Sequence, residues 1–371
     1  MEALKRAHDI QTLCLCAPPT GRQGMTRDMM CAVIEAVLPL PRKVLMMCGS
    51  GMHERLMNTD LVEFDIEKRE WTHLGVWNTG LSMDGLFTYI DPCHAKLNDS
   101  TVVITGGYRT VKIAIENLLA RINDEPLIVR MFDYQWRPSI PFGASLVVMP
   151  DETMLLFGVQ VGTRGGQRGG KHGVMKFNTG LRQWHVVNES NRAGQIYNAF
   201  CIALDNDRVL IAGYYPPGAS HYRAKECLIY RVSSHRFTKT GSMSEDRSNH
   251  KGCLLPNGEV FISGGALHGS DLNSPTTPQH ALLRLEGECE IYNPTTQTWR
   301  TPKGLLLRRR RHTCTLISRT QILLAGGGVG NNSVESAHLE CEIYDTTTES
   351  AIAVGPLPRQ CFNGLAITHP G

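Results

Sequence analysis

His250-Lys251-Gly252-Cys253-Leu254-Leu255, Glu259-Val260-Phe261-Ile262-Ser263-Gly264-Gly265, Glu288-Cys289-Glu290-Ile291-Tyr292-Asn293 and Thr298-Trp299-Arg300 form one unit between residues 249 and 302. Pro256-Asn257-Gly258 separates the first two stretches and is a turn signal, because these residues accept the backbone that reverses a chain. The second stretch is apolar up to its double glycine, as a strand covered on both faces must be. The third alternates polar and apolar residues, the period of a half-buried strand. Residues 294–297 supply another turn. The unit reads as four short antiparallel strands.

Six copies of the unit occur along the 371 residues. Second strands are expected at 44–47, 102–105, 154–157, 209–212 and 322–325, each ending near one or two glycines. In five copies an aromatic residue is followed seven positions later by a second marker. Phe64 leads to Trp71, Phe177 to Trp184, Tyr230 to Phe237, Tyr292 to Trp299 and Tyr344 to Ala351. The remaining copy, with Phe132 and Trp136, has a shorter step. A period of about 50–60 residues marks one supersecondary unit copied around an array. Four antiparallel strands repeated radially are the blade of a β-propeller.

The first copy begins directly with its second strand, whereas residues 362–368 supply a surplus one at the C-terminus. Pairing that strand into the first blade closes the ring and removes its exposed edges. The expected architecture is all-β: a six-bladed propeller over residues 43–371, closed by a C-terminal strand. A short helical segment over residues 1–42 precedes it, with Met29, Met30, Val33, Ile34 and Val37 at helical spacing behind Thr26 as a cap. Another short helix is expected over 111–123, where Ile115, Leu118, Leu119 and Ile122 share a face.

The order hydrophobic-Gly-Gly, aromatic-Asp/Asn, then Trp resembles the Kelch repeat family over about residues 43–371. The last two units are its clearest copies, although the last lacks the Trp and three others lack the second glycine. Residues 41–51 look like the start of the propeller in BTB–Kelch adaptors, but the forty residues before them are too few for a BTB domain. The resemblance implies a non-enzymatic adaptor that binds protein partners through its loops. It also implies substrate recognition for a cullin-based ubiquitin ligase.

With 42% hydrophobic and 20% charged residues, the chain has the composition of a soluble globular protein. Its formal charge of +3 is too small to point to nucleic acid. Neither a membrane-spanning run nor a secretory leader is visible. Of the twelve cysteines, Cys227, Cys289 and Cys341 stand three residues before their units' aromatics, where other units have Leu61, Val129 and Val174. That slot is apolar, so the thiols are expected to be reduced and in the core. No CxxC pair suggests zinc. A reducing location, cytoplasmic or nuclear, follows.

Gly165 to Lys171 fits GxxxxGK, but His172 replaces the Ser or Thr and a strand follows instead of a helix, so no phosphate loop is expected. Galactose-oxidase-like copper enzymes place a Tyr-His pair near such a first strand; here Asn249 precedes His250 and Arg311 precedes His312. Sialic-acid mutarotases need acid and base groups in the channel. Glu63, Glu290 and Glu342 recur by repeat position and are expected to face outward. No catalytic residue, metal or cofactor is therefore expected, with a propeller oxidase or mutarotase as the alternative. Loops after second and fourth strands emerge at one end of the ring. That end gathers Arg109, Lys112, Arg164, Arg168, Lys171, Arg223, Lys225, Arg247, Arg308, Arg309, Arg310 and Arg311. Guanidinium forks suit carboxylates and phosphates. The expected partner is an acidic or phosphorylated protein segment; membrane, nucleic acid and small-molecule substrate are not expected.

Overall fold

The computed structural model describes residues 41–48, 58–78, 93–98, 101–106, 109–114, 127–130, 144–161, 171–178, 181, 183–189, 196, 199–214, 224–265, 289–302, 304–328 and 338–369. The first strands in the chain are β1 (Lys43–Cys48), β2 (Asn58–Asp65) and β3 (Glu70–Asn78). Next come β4 (Cys93–Asn98), β5 (Thr101–Gly106), β6 (Arg109–Ala114) and β7 (Leu127–Arg130). A third group holds β8 (Ser145–Val148), β9 (Met154–Val161), β10 (Lys171–Asn178) and β11 (Gln183–Glu189). The fourth holds β12 (Phe200–Ala203), β13 (Arg208–Tyr214), β14 (Glu226–Arg231) and β15 (Arg236–Lys239). Then follow β16 (Lys251–Leu254), β17 (Val260–Ser263), β18 (Cys289–Asn293) and β19 (Thr298–Arg300). The chain ends with β20 (Thr313–Leu316), β21 (Gln321–Ala325), β22 (Cys341–Asp345), β23 (Ser350–Val354) and β24 (Leu365–His369).

These strands make six four-stranded antiparallel sheets. β24 joins the first sheet beside β1, with Met47 opposite Leu365 and Lys43 opposite His369. The innermost strands touch in a closed cycle, from β24 to β4, β8, β12, β16, β20 and back to β24. The described fold is thus an all-β propeller. No described helix is long and apolar enough to cross a membrane.

The step of seven has a direct cause in the hairpins. Phe64 lies opposite Trp71, Phe177 opposite Trp184, Tyr230 opposite Phe237 and Tyr292 opposite Trp299. The first and last of these ring pairs stand 4.9 Å apart, a packed aromatic contact. The polar residue after the aromatic holds the turn. Asn293 Oδ1 accepts from the amides of Thr295 and Thr296, and Asp65 and Asp345 do the same in their hairpins. The cysteine slot is buried, as its Leu and Val occupants imply: Leu61, Val174, Cys227, Cys289 and Cys341 are all sealed from water. Burial pushes the Cys227 thiol up to about 12.

Two expectations change. Residues 109–114 form strand β6, overlapping the start of the helix expected over 111–123; Thr110, Val111 and Ile113 are β-branched, as strands favour, and the residues that carry the helical spacing lie outside the described ones. β7 at Leu127–Arg130 then completes that sheet, and the Phe132–Trp136 marker lies outside the described residues. The helical segment expected at 1–42 falls on residues outside the description up to 40, as do residues 115–123.

Candidate functional site

Several charged residues are buried within the sheets. Glu290 on β18 and Glu342 on β22 do not face outward as expected; both are completely buried. Arg247 Nε donates to Glu290 Oε1 at 3.0 Å, and its Nη1 donates to the Gly264 carbonyl at 2.8 Å. One repeat later, Arg309 Nη2 lies 3.3 Å from Glu342 Oε1, and Nη1 donates to the Gly326 carbonyl at 2.9 Å. The second carboxylate oxygens accept backbone amides, from Ser244 and from Leu306. Each ion pair therefore ties the segment entering a sheet to that sheet's third strand and to its glycine corner. In the first sheet Glu63 plays a related part, 2.6 Å from Lys43 Nζ and 3.2 Å from His369 Nε2.

His250 and His312 fill the seams between sheets. His312 Nε2 is 2.8 Å from Ser263 Oγ on the preceding sheet. A Cβ on Gly264 would strike the Arg309 carbonyl and approach His312 Cε1, so this corner requires glycine. His250 meets Phe200 edge-on at 6.1 Å and crowds Gly213 in the same way. Burial, aided by Arg247 and Lys251, pushes the His250 imidazole down to about 3. Burial likewise holds His312 well below the usual histidine range, with Arg309 adding to the effect. Both rings are neutral spacers at physiological pH.

The axis itself is open. A cavity of about 280 Å³ is lined by residues from all six innermost strands, including His94, Lys96, Ser145, Cys201, Lys251 and Thr315. At one end stand Asn249, Arg311 and Asn363, at equivalent places before β16, β20 and β24. All three have left-handed backbones, with φ of 57°, 55° and 54°. The Arg311 amide donates to the Asn249 carbonyl at 3.0 Å, and the Asn363 amide to the Arg311 carbonyl at 2.9 Å. These backbone hydrogen bonds link β16, β20 and β24 at the mouth. No Asp or Glu lines the cavity among the described residues. Burial pushes the His94 ring down to about 3, Lys251 pushing the same way, while a hydrogen bond to the Gly364 backbone opposes them.

The structure divides the expected cationic set. Arg247, Arg309, Arg310 and Arg311 are buried, which removes them from an open loop face. Arg311 lines the cavity, and its guanidinium carbon sits 5.9 Å from the Phe362 ring centre. Burial pushes Arg310 down to about 10, with neighbouring Arg311 adding to it. Arg308 is exposed and Lys225 half-buried. Arg109 and Lys112 belong to β6 and Lys171 opens β10. Arg164, Arg168 and Arg223 lie outside the described residues. Sequence reasoning passed over His94, Lys96 and Lys251. Their signal was position: each falls on a first strand, and first strands line the axis.

No family model matches the chain, and no curated protein matches it. Solved structures do match. One is a fungal alcohol oxidase of the AA5 family in complex with copper, at 14% identity and a TM-score of 0.53. The alignment covers 86% of this chain and 66% of that one, so this chain spans just under two thirds of the enzyme's length. At such identity the likeness establishes the fold alone. The class so defined is a β-propeller with an axial cavity.

Copper is what that neighbour holds, and the described residues do not fit it. No group of three or more His, Cys, Asp or Glu side chains among them could hold a metal ion. His250 and His312 are locked in the seams, and the residues preceding them are Asn249 and Arg311, neither of which carries a phenol.

Proposed function

We propose that the chain is a six-bladed Kelch-type propeller acting as a protein-interaction module, which binds an acidic or phosphorylated segment of a partner at its loop end. The observation that carries this reading is the absence of any carboxylate among the described lining of the axial cavity. A mutarotase would need an acid and a base facing that space. Here Glu290 and Glu342 are paired with buried arginines and Glu63 with Lys43 and His369, and the remaining charge toward the axis is positive. An anionic partner complements such a surface. Together with the Kelch resemblance, this supports a non-enzymatic adaptor in the cytoplasm or nucleus that recognises substrates for a cullin-based ubiquitin ligase. A propeller oxidase is the second reading, favoured by the fold likeness alone; stoichiometric copper retained through dialysis would revive it.

Affinity capture from lysate tests the proposal, comparing the wild-type chain with an Arg164→Glu/Arg168→Glu/Arg308→Glu variant. These positions spare the buried arginines, so the variant should fold. A defined set of partners lost from the variant is expected, and a cullin or its adaptors in that set would support the ligase role. Retention of every partner by the folded variant would overturn the acidic-partner reading.

A further inference from the structure

We propose that the axial cavity is a binding site for a small multivalent oxyanion, a carboxylate- or phosphate-bearing molecule held on Lys251 and flanked by Lys96 and Arg311. All three line one cavity, together with the Thr315 hydroxyl and the side-chain amides of Asn249 and Asn363 as neutral donors. No described lining residue carries a negative charge. Lys251 opens β16 and Lys96 lies on β4, two of the six innermost strands that wall the cavity.

Low-dielectric walls strengthen the field of these cations and focus it along the channel. The cavity's volume of about 280 Å³ lies just below the about 300–1,000 Å³ found for small-ligand sites. Phosphate, or a di- or tricarboxylate, fits that volume; a folded peptide does not. The mouth, with its backbone hydrogen bonds between Asn249, Arg311 and Asn363, keeps the donors in place before any ligand arrives. This site shares its lack of carboxylates with the partner-binding reading but needs no protein partner.

The test is calorimetric titration of the full chain with inorganic phosphate and, separately, with citrate, using chloride as the monovalent control. Saturable binding of at least one multivalent anion is expected, and the preferred anion tells whether phosphate or carboxylate is the natural group. Loss of one charge-assisted contact in Lys251→Met should weaken binding about ten- to hundredfold. Lys251→Arg should retain most of the affinity. If Lys251→Met fails to fold by circular dichroism, Lys96→Met serves in its place, with a loss of about tenfold expected. The proposal is overturned if neither anion saturates the wild-type chain, or if the folded methionine variant binds as tightly as wild type. A chain that binds phosphate or citrate but captures no protein would leave this site standing and remove the interaction reading alone.

Discussion

A guanidinium as buried as that of Arg309 is tolerable only because Glu342 and two backbone carbonyls meet it. Removing one member leaves an uncompensated charge in the protein interior. Arg309→Met should therefore lower unfolding stability by about 3–5 kcal/mol, and the double variant with Glu342→Leu should recover most of the loss. Urea titration followed by circular dichroism measures both, and an unchanged midpoint in the single variant would contradict the pairing. His250 sets a second residue-scale behaviour. Its folded value of about 3 lies below the ordinary histidine value of about 6.5. Below about pH 6.5 the unfolded chain takes up a proton that the folded chain refuses. Stability contributed here is complete above that pH and falls as pH drops toward about 3, by about 1.4 kcal/mol per pH unit. His250→Gln should flatten the fall in melting temperature between about pH 6 and pH 4; an unaltered slope would show that the ring is not neutral in the fold.

Individual elements show how far local sequence reaches. The aromatic markers and the Asn or Asp behind them were legible because both act within one hairpin, closing a turn and packing across it. The cysteine slot was legible for a similar reason, since Leu, Val and Cys at one repeat position leave only burial in common. The direction of Glu290 and Glu342 was not legible. Alternation along β18 and β22 separates two faces but does not say which of them meets a charged partner, and Arg247 and Arg309 come from 43 and 33 residues upstream. β6 shows the reverse failure. Its residues alternate and pair with β5 and β7, while the helical spacing that prompted the helix expectation belongs to residues 115–122, outside the described ones.

At the scale of the molecule, the ring depends on its two ends meeting. β1 has its hydrogen-bonding partners in β2 on one side and in β24 on the other. Deleting residues 362–371 would uncover the β1 edge and strip Leu365 and Ile367 from the core they share with Leu45 and Met47. Loss of the wild-type elution profile in size-exclusion chromatography, with a lowered melting temperature, is the expected result. An intact and equally stable ring after truncation would refute closure by that strand.

The sequence by itself determined the repeat, its four-strand unit, the turns and the C-terminal strand left over for the first sheet. These follow from hydrophobic period and turn chemistry, which act over a few residues. Only the tertiary structure decided which charges are open to solvent. Arg308 is exposed and Arg309 sealed although they are adjacent, because the folding of the sheet they lead into brings Arg309 against Glu342 on its third strand. The axial cavity was likewise decided there: Lys96 and Lys251 come from separate repeats and share a space only when six innermost strands close around one axis.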